Sequence, residues 1–343
     1  MSEVLLGDLL KSVSRAFYLT LRVLPDGVRE PIGLAYLLAR AADTIADTEI
    51  VAVEERLARL LAFRAAVQGG RGGAEGDSPW IRSEGGTEHA ALPLEGSVSA
   101  AERRLLENIP QALAMLARLP QADALAVRSI VATLTTGMEM DLRSFPPGRL
   151  SALRTSEELD RYVYHVAGCV GEFWTRETML HTPALRGWNA AEMSALGVRF
   201  GKALQLTNVL RDAGKDLAMG RCYLPSDELA EIGVTPEMLL TTDGARRALP
   251  VRDRWLRVAL GHYEAATRYL LAIPRECVRL RLAVLWPIVI GLETLRLIRG
   301  GEGWLDARRP ARVPRRRVYR ILLLSLPAVF SNTLLRWWIA RLR

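Results

Sequence analysis

The chain has 343 residues, 50% of them hydrophobic and 24% charged, and its mean hydropathy is +0.09. That balance excludes an intrinsically disordered chain and supplies a large core, as one big domain or two ordinary ones. The net charge is +8, and lysine occurs only at Lys11, Lys202 and Lys215, so all but three of the 46 basic residues are arginine.

Arginine's fixed charge and forked donors suit phosphate, diphosphate and anionic lipid; a GC-rich genome would also raise its count. No nucleic-acid-binding motif accompanies the charge, so nucleic acid is not an expected partner. Cys169, Cys222 and Cys277 are far apart and odd in number. They give neither a disulfide framework nor a zinc spacing, and a reducing compartment fits them.

In chain order, Lys11 and Arg15 interrupt a short apolar N-terminal run and no export cleavage pattern follows, so no signal peptide is expected. Residues 31–42 read as a helix with Pro31 at its first position. Residues 52–67, 101–118, 122–143, 157–180, 190–219, 253–273 and 277–299 repeat apolar residues at three and four, the helical period. No run has the period of two that a strand needs. The expected fold is therefore all-α, in a single large helical bundle.

Two segments stand apart. Residues 69–99 are rich in Gly, Ser, Pro and Glu and read as a flexible surface insertion. Residues 306–343 form a basic–apolar C-terminal segment. Arg308, Arg309, Arg312, Arg315, Arg316, Arg317 and Arg320 precede an uncharged stretch from Ile321 to Leu335, which Arg336, Trp337 and Trp338 close. A spanning helix needs about 20 apolar residues. This stretch is shorter, so two readings stand: an interfacial membrane anchor, or a final core helix with a basic edge.

The sharpest local feature is Arg40-Ala-Ala-Asp43-Thr-Ile-Ala-Asp47. Aspartates at i and i+4 share a helical face, where their like charges are mildly destabilising unless something compensates. Tyr36 and Arg40 continue the stripe. The pattern recurs at Gln205-Leu-Thr-Asn208-Val-Leu-Arg211-Asp212-Ala-Gly-Lys-Asp216. Magnesium takes oxygen ligands and bridges carboxylates to phosphate oxygens, and arginine binds the remaining phosphate oxygens. Two such helices could face each other across a cavity.

These motifs, taken in order, resemble the squalene/phytoene synthases, the head-to-head prenyltransferases of the isoprenoid-synthase class. The likeness runs over about residues 10–300. Its carriers are Ser14-Arg15-Ala-Phe, Tyr36 to Asp47, Gly137-Met-Glu-Met-Asp141, Tyr162 to Gly171, and Asn208 to Asp216 on through Arg221-Cys-Tyr-Leu-Pro225. The resemblance implies a bundle around a central apolar cavity, with a catalytic domain over 1–305. It implies that Asp43, Asp47, Asp212 and Asp216 bind Mg2+, with Asn208 a further ligand, and that Arg15, Arg40, Arg211 and Arg221 hold diphosphates. Tyr36 and Gln205 would line the site near the reacting ends.

Tyr162 matches a tyrosine tied to the first half-reaction in the squalene-synthase branch, though a core tyrosine with a satisfied hydroxyl is the plain alternative. Gly168 and Gly171 inside a helix serve close packing or room for substrate. His165 reads as structural. One departure is Ala46, where eukaryotic squalene synthases usually carry an acid. The segment after Asp216 is more like the bacterial and phytoene-synthase style.

The Tyr162–Gly171 string is most similar to squalene synthases. The expected reaction is therefore two farnesyl diphosphates joined to presqualene diphosphate and reduced by NADPH to squalene, in sterol or hopanoid biosynthesis. NADPH follows from the resemblance alone, for no Gly-x-Gly-x-x-Gly follows a strand. The alternatives are an enzyme stopping at presqualene diphosphate or hydroxysqualene, and a phytoene synthase using geranylgeranyl diphosphate. A non-catalytic lipid-binding relative would be expected to lose aspartates, and all four are present. The expected location is cytoplasmic, peripheral on the inner face of a membrane.

Overall fold

Leucine and alanine at helical spacing commit most of the sequence to helices that each bury one face. The computed structural model describes residues 4–14, 18–48, 51–69, 98–301 and 303–343. Arg15 and nearly all of the 69–99 insertion lie outside the described residues. The chain divides into two compact units, residues 1–143 and 144–343.

The first unit contains α1 (Leu10–Ser14), α2 (Tyr18–Val23), α3 (Asp26–Asp47), α4 (Val53–Val67), α5 (Ala100–Glu107), α6 (Ile109–Leu116) and α7 (Gln121–Ser144). Helix α3 packs against α4, α5 and α6. It buries Leu34, Leu37, Leu38, Ala41 and Ile45, with Leu60 and Phe63 of α4 in the same core. Each such side chain contributes about 1.5–3 kcal/mol on burial.

Three elements differ from the sequence reading, one of them the expected helix over 157–180, which a π-helical stretch at Tyr164–Gly168 interrupts. Helix α3 starts at Asp26, so Pro31 lies inside it and not at its start. Pro31 is the sixth residue of α3, so it removes one main-chain hydrogen bond inside the helix, the one to the Gly27 carbonyl. The expected helix over 101–118 is two helices joined at Asn108, with Pro110 in the first turn of α6. Proline fits a helix start because that position needs no donor.

The second unit contains a two-residue strand β1 (Ser151–Ala152), α8 (Ser156–Val163), a wide π-type turn (Tyr164–Gly168), α9 (Cys169–His181), α10 (Ala190–Ala218) and a second short strand β2 (Arg221–Cys222). Then come α11 (Ser226–Glu231), α12 (Thr242–Arg247), α13 (Leu249–Ala272), α14 (Val278–Gly300), α15 (Arg315–Ala328) and α16 (Asn332–Leu342). The strands pair in parallel, Ser151 with Arg221 and Ala152 with Cys222. At two residues each, they are too short for a period-two pattern to show.

Helix α10 is the axis of this unit, packed against α9, α13 and α14. Its start is capped by Asn189, whose side chain accepts the Glu192 amide at 3.1 Å. Tyr263 and Tyr269 of α13 are fully buried. Tyr263 shares a hydrogen bond of 2.9 Å with Thr207 of α10, and Tyr269 one of 3.0 Å with Thr175 of α9. Burial pushes the Tyr269 hydroxyl up to about 12, so it stays protonated.

Gly171 settles between the two readings given it. A side-chain carbon on Gly197 would lie 2.5 Å from the Gly171 carbonyl oxygen and 2.6 Å from Thr175 Oγ1. A carbon on Gly201 would collide with the Ala167 carbonyl. Gly171, Gly197 and Gly201 thus let α9 and the π-type turn lie backbone to backbone on α10. Close packing accounts for Gly171.

Candidate active site

The first acidic motif occupies the one open stripe of α3. Its neighbours Leu37, Leu38, Ala41, Ala42, Ile45 and Ala46 are buried, whereas Tyr36, Arg40 and Asp43 are half-buried and Asp47 is exposed. The spacing of four, three and four produces this, because residues so spaced lie above one another on a helix. The Tyr36 hydroxyl donates to the Val13 carbonyl at 3.4 Å. The end of α3 is pinned by buried Arg56 of α4, which donates to the Ala46 carbonyl at 2.9 Å. A cation there also complements the negative end of the helix dipole.

Arg40 bridges two carboxylates. One guanidinium nitrogen donates to Asp43 and the other to Glu102 of α5. Burial opposes the Arg40 charge, but Asp43 and Glu102 outweigh it, and the net pKa is raised. Asp43 is pushed the other way from an ordinary carboxyl. Burial first, then the charge of Asp47, lift it to about 6, with Arg40 only partly offsetting them. Two carboxylates so strained against each other fit a divalent cation, which would relieve both effects.

Glu102 was not among the expected site residues. Its second oxygen accepts from the Ser99 amide at 3.0 Å and the Ser99 hydroxyl at 2.7 Å, closing a capping box on α5. The Ser-x-x-Glu signature of that box is visible in sequence. The contact with Arg40, 62 residues away, has no local signal.

In the second unit, Gln205, Asn208, Arg211, Asp212 and Asp216 are half-buried along α10, beside buried Leu206, Val209, Leu210 and Ala213. Asn208 donates to Gln205 Oε1 at 3.3 Å. Arg211 makes a fork onto its neighbour Asp212, with Nε 2.9 Å from Oδ1. That hydrogen bond raises the Arg211 pKa despite burial.

Beyond Asp216 the chain must reverse to bring Arg221 back. Gly220 does this with φ +81°, a left-handed conformation that glycine adopts without steric cost. A side-chain carbon there would also lie 2.8 Å from the Arg149 carbonyl oxygen. Arg221 then pairs with β1 and lines a cavity of about 10 Å³ with Val209, Ala213 and Leu217 of α10.

Tyr162 ends α8 and is half-buried. Its ring stacks on Tyr223 with centroids 4.8 Å apart, and Phe145 meets Tyr223 edge-on at 4.9 Å. Lys202 of α10 grips both oxygens of Asp160 at 2.7 Å, which fixes α8 against α10. Tyr223 and the Lys202–Asp160 pair were not among the expected site residues, because both contacts join residues far apart in sequence. The His165 ring nitrogen Nδ1 donates to the Arg161 carbonyl at 2.8 Å, consistent with a structural histidine.

Comparison with known proteins decides the family. A family model described as squalene/phytoene synthase matches residues 10–317. The chain belongs to the squalene/phytoene synthase family. Such proteins are transferases of isoprenoid biosynthesis. A bifunctional lycopene cyclase/phytoene synthase of Colletotrichum graminicola is 30% identical over 316 residues, covering 89% of this chain and 48% of the relative. The chloroplastic phytoene synthase of Daucus carota is 34% identical over 152 residues, 44% of this chain and 34% of the relative. The chain spans about half the length, or less, of these curated relatives.

Among solved structures, TcSQS in complex with the ligand BPH1237 superposes with a TM-score of 0.77 at 22% identity, covering 98% of this chain and 90% of that one. A dehydrosqualene synthase in complex with ligand gives 0.64 at 21%, covering 94% and 95%. At these identities the likeness is one of fold, and it matches the expected all-α isoprenoid-synthase type.

Proposed function

We propose that this synthase joins two identical allylic prenyl diphosphates head to head. The observation that carries the reading is the repeated stripe: two aspartates one turn apart on α3 and again on α10, each with an arginine on the neighbouring carboxylate. Asp43 and Asp47, and Asp212 and Asp216 with Asn208, would hold Mg2+, which supplies charge neutralisation at a departing diphosphate. Arg40, Arg211 and Arg221, with Arg15, would bind diphosphate oxygens.

In the first half-reaction the C1–O bond of one substrate breaks and diphosphate leaves with the electron pair. The double bond of the second substrate attacks the allylic cation, and loss of a proton closes a cyclopropane. We assign that proton to Tyr162 or to the released diphosphate. Ionisation of the remaining diphosphate and rearrangement follow. Hydride from a nicotinamide reductant then gives the saturated central bond of squalene, whereas proton loss gives the central double bond of phytoene.

Farnesyl diphosphate and squalene are the first assignment, supported by the Tyr162–Gly171 string. The relatives named phytoene synthase favour a second reading, geranylgeranyl diphosphate and phytoene, which needs no reductant. Product identification by mass spectrometry, with each diphosphate and with and without NADPH, separates them. Squalene from farnesyl diphosphate only with NADPH supports the first; phytoene from geranylgeranyl diphosphate with farnesyl diphosphate untouched overturns it. Asp43→Asn or Asp212→Asn should cut diphosphate release at least about 100-fold; undiminished release would refute the metal assignment.

A further inference from the structure

The C-terminal segment is neither a spanning helix nor a wholly buried one. Among the described residues no helix is long and apolar enough to cross a membrane. Helix α15 has 14 residues, about 21 Å at 1.5 Å per residue, against about 30 Å of bilayer core. It is apolar on two opposite sides. Ile321, Ser325 and Ala328 are buried, and Trp286 of α14 donates to Ser325 Oγ at 2.9 Å. The other side carries Tyr319, Leu323 and Leu326, spaced four and three, and Phe330 follows in the turn after the helix; all four are exposed.

Helix α16 repeats the arrangement. Leu335, Ile339 and Leu342 are buried, while Leu334 and Trp337 are exposed. Leu323 is 68%, Phe330 57% and Trp337 55% accessible. Half of the large exposed apolar side chains among the described residues fall between positions 319 and 337. A contiguous exposed apolar stripe marks a surface that meets another apolar phase or partner, and nothing in this unit covers this one.

The charge beside the stripe identifies what would. The seven arginines from Arg308 to Arg320 are all exposed; Arg317 is already paired with Glu293 of α14 at 2.6 Å, and the other six flank the outer face. Arg315 and Arg316 begin α15 on the side of the outer stripe, by its 100° per residue. Arg341 lies over the Trp337 ring, 4.1 Å from its centroid. A tryptophan with a cation on its face is suited to the headgroup layer, apolar below and charged above. The buried side is locked to the unit by Arg281 of α14, which donates to Asn332 at 2.6 Å. The outer face is therefore presented by a fixed platform.

We propose that α15 and α16 form an in-plane docking face for an anionic lipid bilayer, with the outer apolar stripe entering the headgroup boundary and the arginines contacting lipid phosphates. It stands independently of the reaction proposed above. A second copy of the chain covers apolar surface equally well, but six arginines would then oppose their own copies across a two-fold axis.

The full chain should sediment with vesicles of phosphatidylcholine and phosphatidylglycerol, and much less with phosphatidylcholine alone. Arg315→Gln with Arg316→Gln should weaken binding about 30-fold, from about 1 kcal/mol per arginine at the surface. Leu323→Gln with Phe330→Gln should abolish it, and circular dichroism should show an unchanged melt because both side chains are already exposed. Binding unaffected by either pair, or absent from anionic vesicles, overturns the proposal. So does a dimer of the unmodified chain that Leu323→Gln with Phe330→Gln converts to monomer, without vesicle binding by either.

Discussion

Alanine at position 197 tests whether the crossing of α9 and α10 is held at backbone contact. The new carbon would lie 2.5 Å from the Gly171 carbonyl oxygen and 2.6 Å from Thr175 Oγ1, where real contacts stay above 3.0 Å. The carbonyl belongs to α9 and cannot rotate aside. The Thr175 hydroxyl already donates to that carbonyl at 2.7 Å and shares a bond with Tyr269 at 3.0 Å. The helices must therefore separate by about half an ångström, or the hydroxyl must abandon its partners. Overpacking costs about 1–3 kcal/mol and a disturbed buried hydrogen bond about 1 more. Alanine's higher helix propensity returns about 1 kcal/mol. The net loss is about 2 kcal/mol, or roughly 4–8 °C of melting temperature for a unit of this size. Thermal unfolding followed by circular dichroism reads it. Gly187→Ala, with nothing within 4 Å of the added carbon, should melt like the unaltered chain. An unshifted Gly197→Ala, or an equal loss in Gly187→Ala, refutes the reasoning.

Glu102→Gln keeps the capping box, which glutamine also closes, but removes the charge that Arg40 meets. Its melting temperature should hold while KM for the prenyl diphosphate rises about fivefold; an unchanged KM shows that Glu102 does not orient Arg40. Asp43 is raised from 3.8 to about 6, so the folded chain holds that proton more tightly than the unfolded chain does. This stabilisation is complete below about pH 4 and is lost as pH rises through about 6. In EDTA, Asp43→Asn should remove that part of the pH dependence, about 1 kcal/mol, discounted because the side chain is 39% exposed; identical pH profiles would contradict it. Asn332→Ala should cost about 2 kcal/mol in chemical denaturation, because it strips a partner from the buried Arg281 guanidinium; a neutral result shows that α16 is held by apolar contacts alone.

Sequence alone determined the helical class, the two acidic stripes and the order of the motifs. Period and spacing are local properties: Tyr36, Arg40, Asp43 and Asp47 share a face of any helix that contains them. The same locality explains the good bounds of α4, α7 and α10, where one apolar face runs unbroken. It failed at Asn108, where one expected helix is two, at Asp26, where α3 starts five residues before Pro31, and at Tyr164–Gly168, where a π-helical stretch interrupts the run.

Tertiary structure decided what lies across from each motif. Glu102 reaches Arg40 from another helix, Tyr223 backs Tyr162 from a chain reversal at Gly220, and Gly171 meets Gly197 through packing that no spacing encodes. The C-terminus shows the division most clearly. Its composition left an anchor and a core helix both standing, with the anchor slightly favoured, since apolar residues occur on more than one side of α15. Packing on α14 buries Ile321 and Ser325 and leaves Leu323 and Phe330 outside. The segment is thus both a core helix and an apolar surface, because burying one side of a helix leaves its opposite side to solvent.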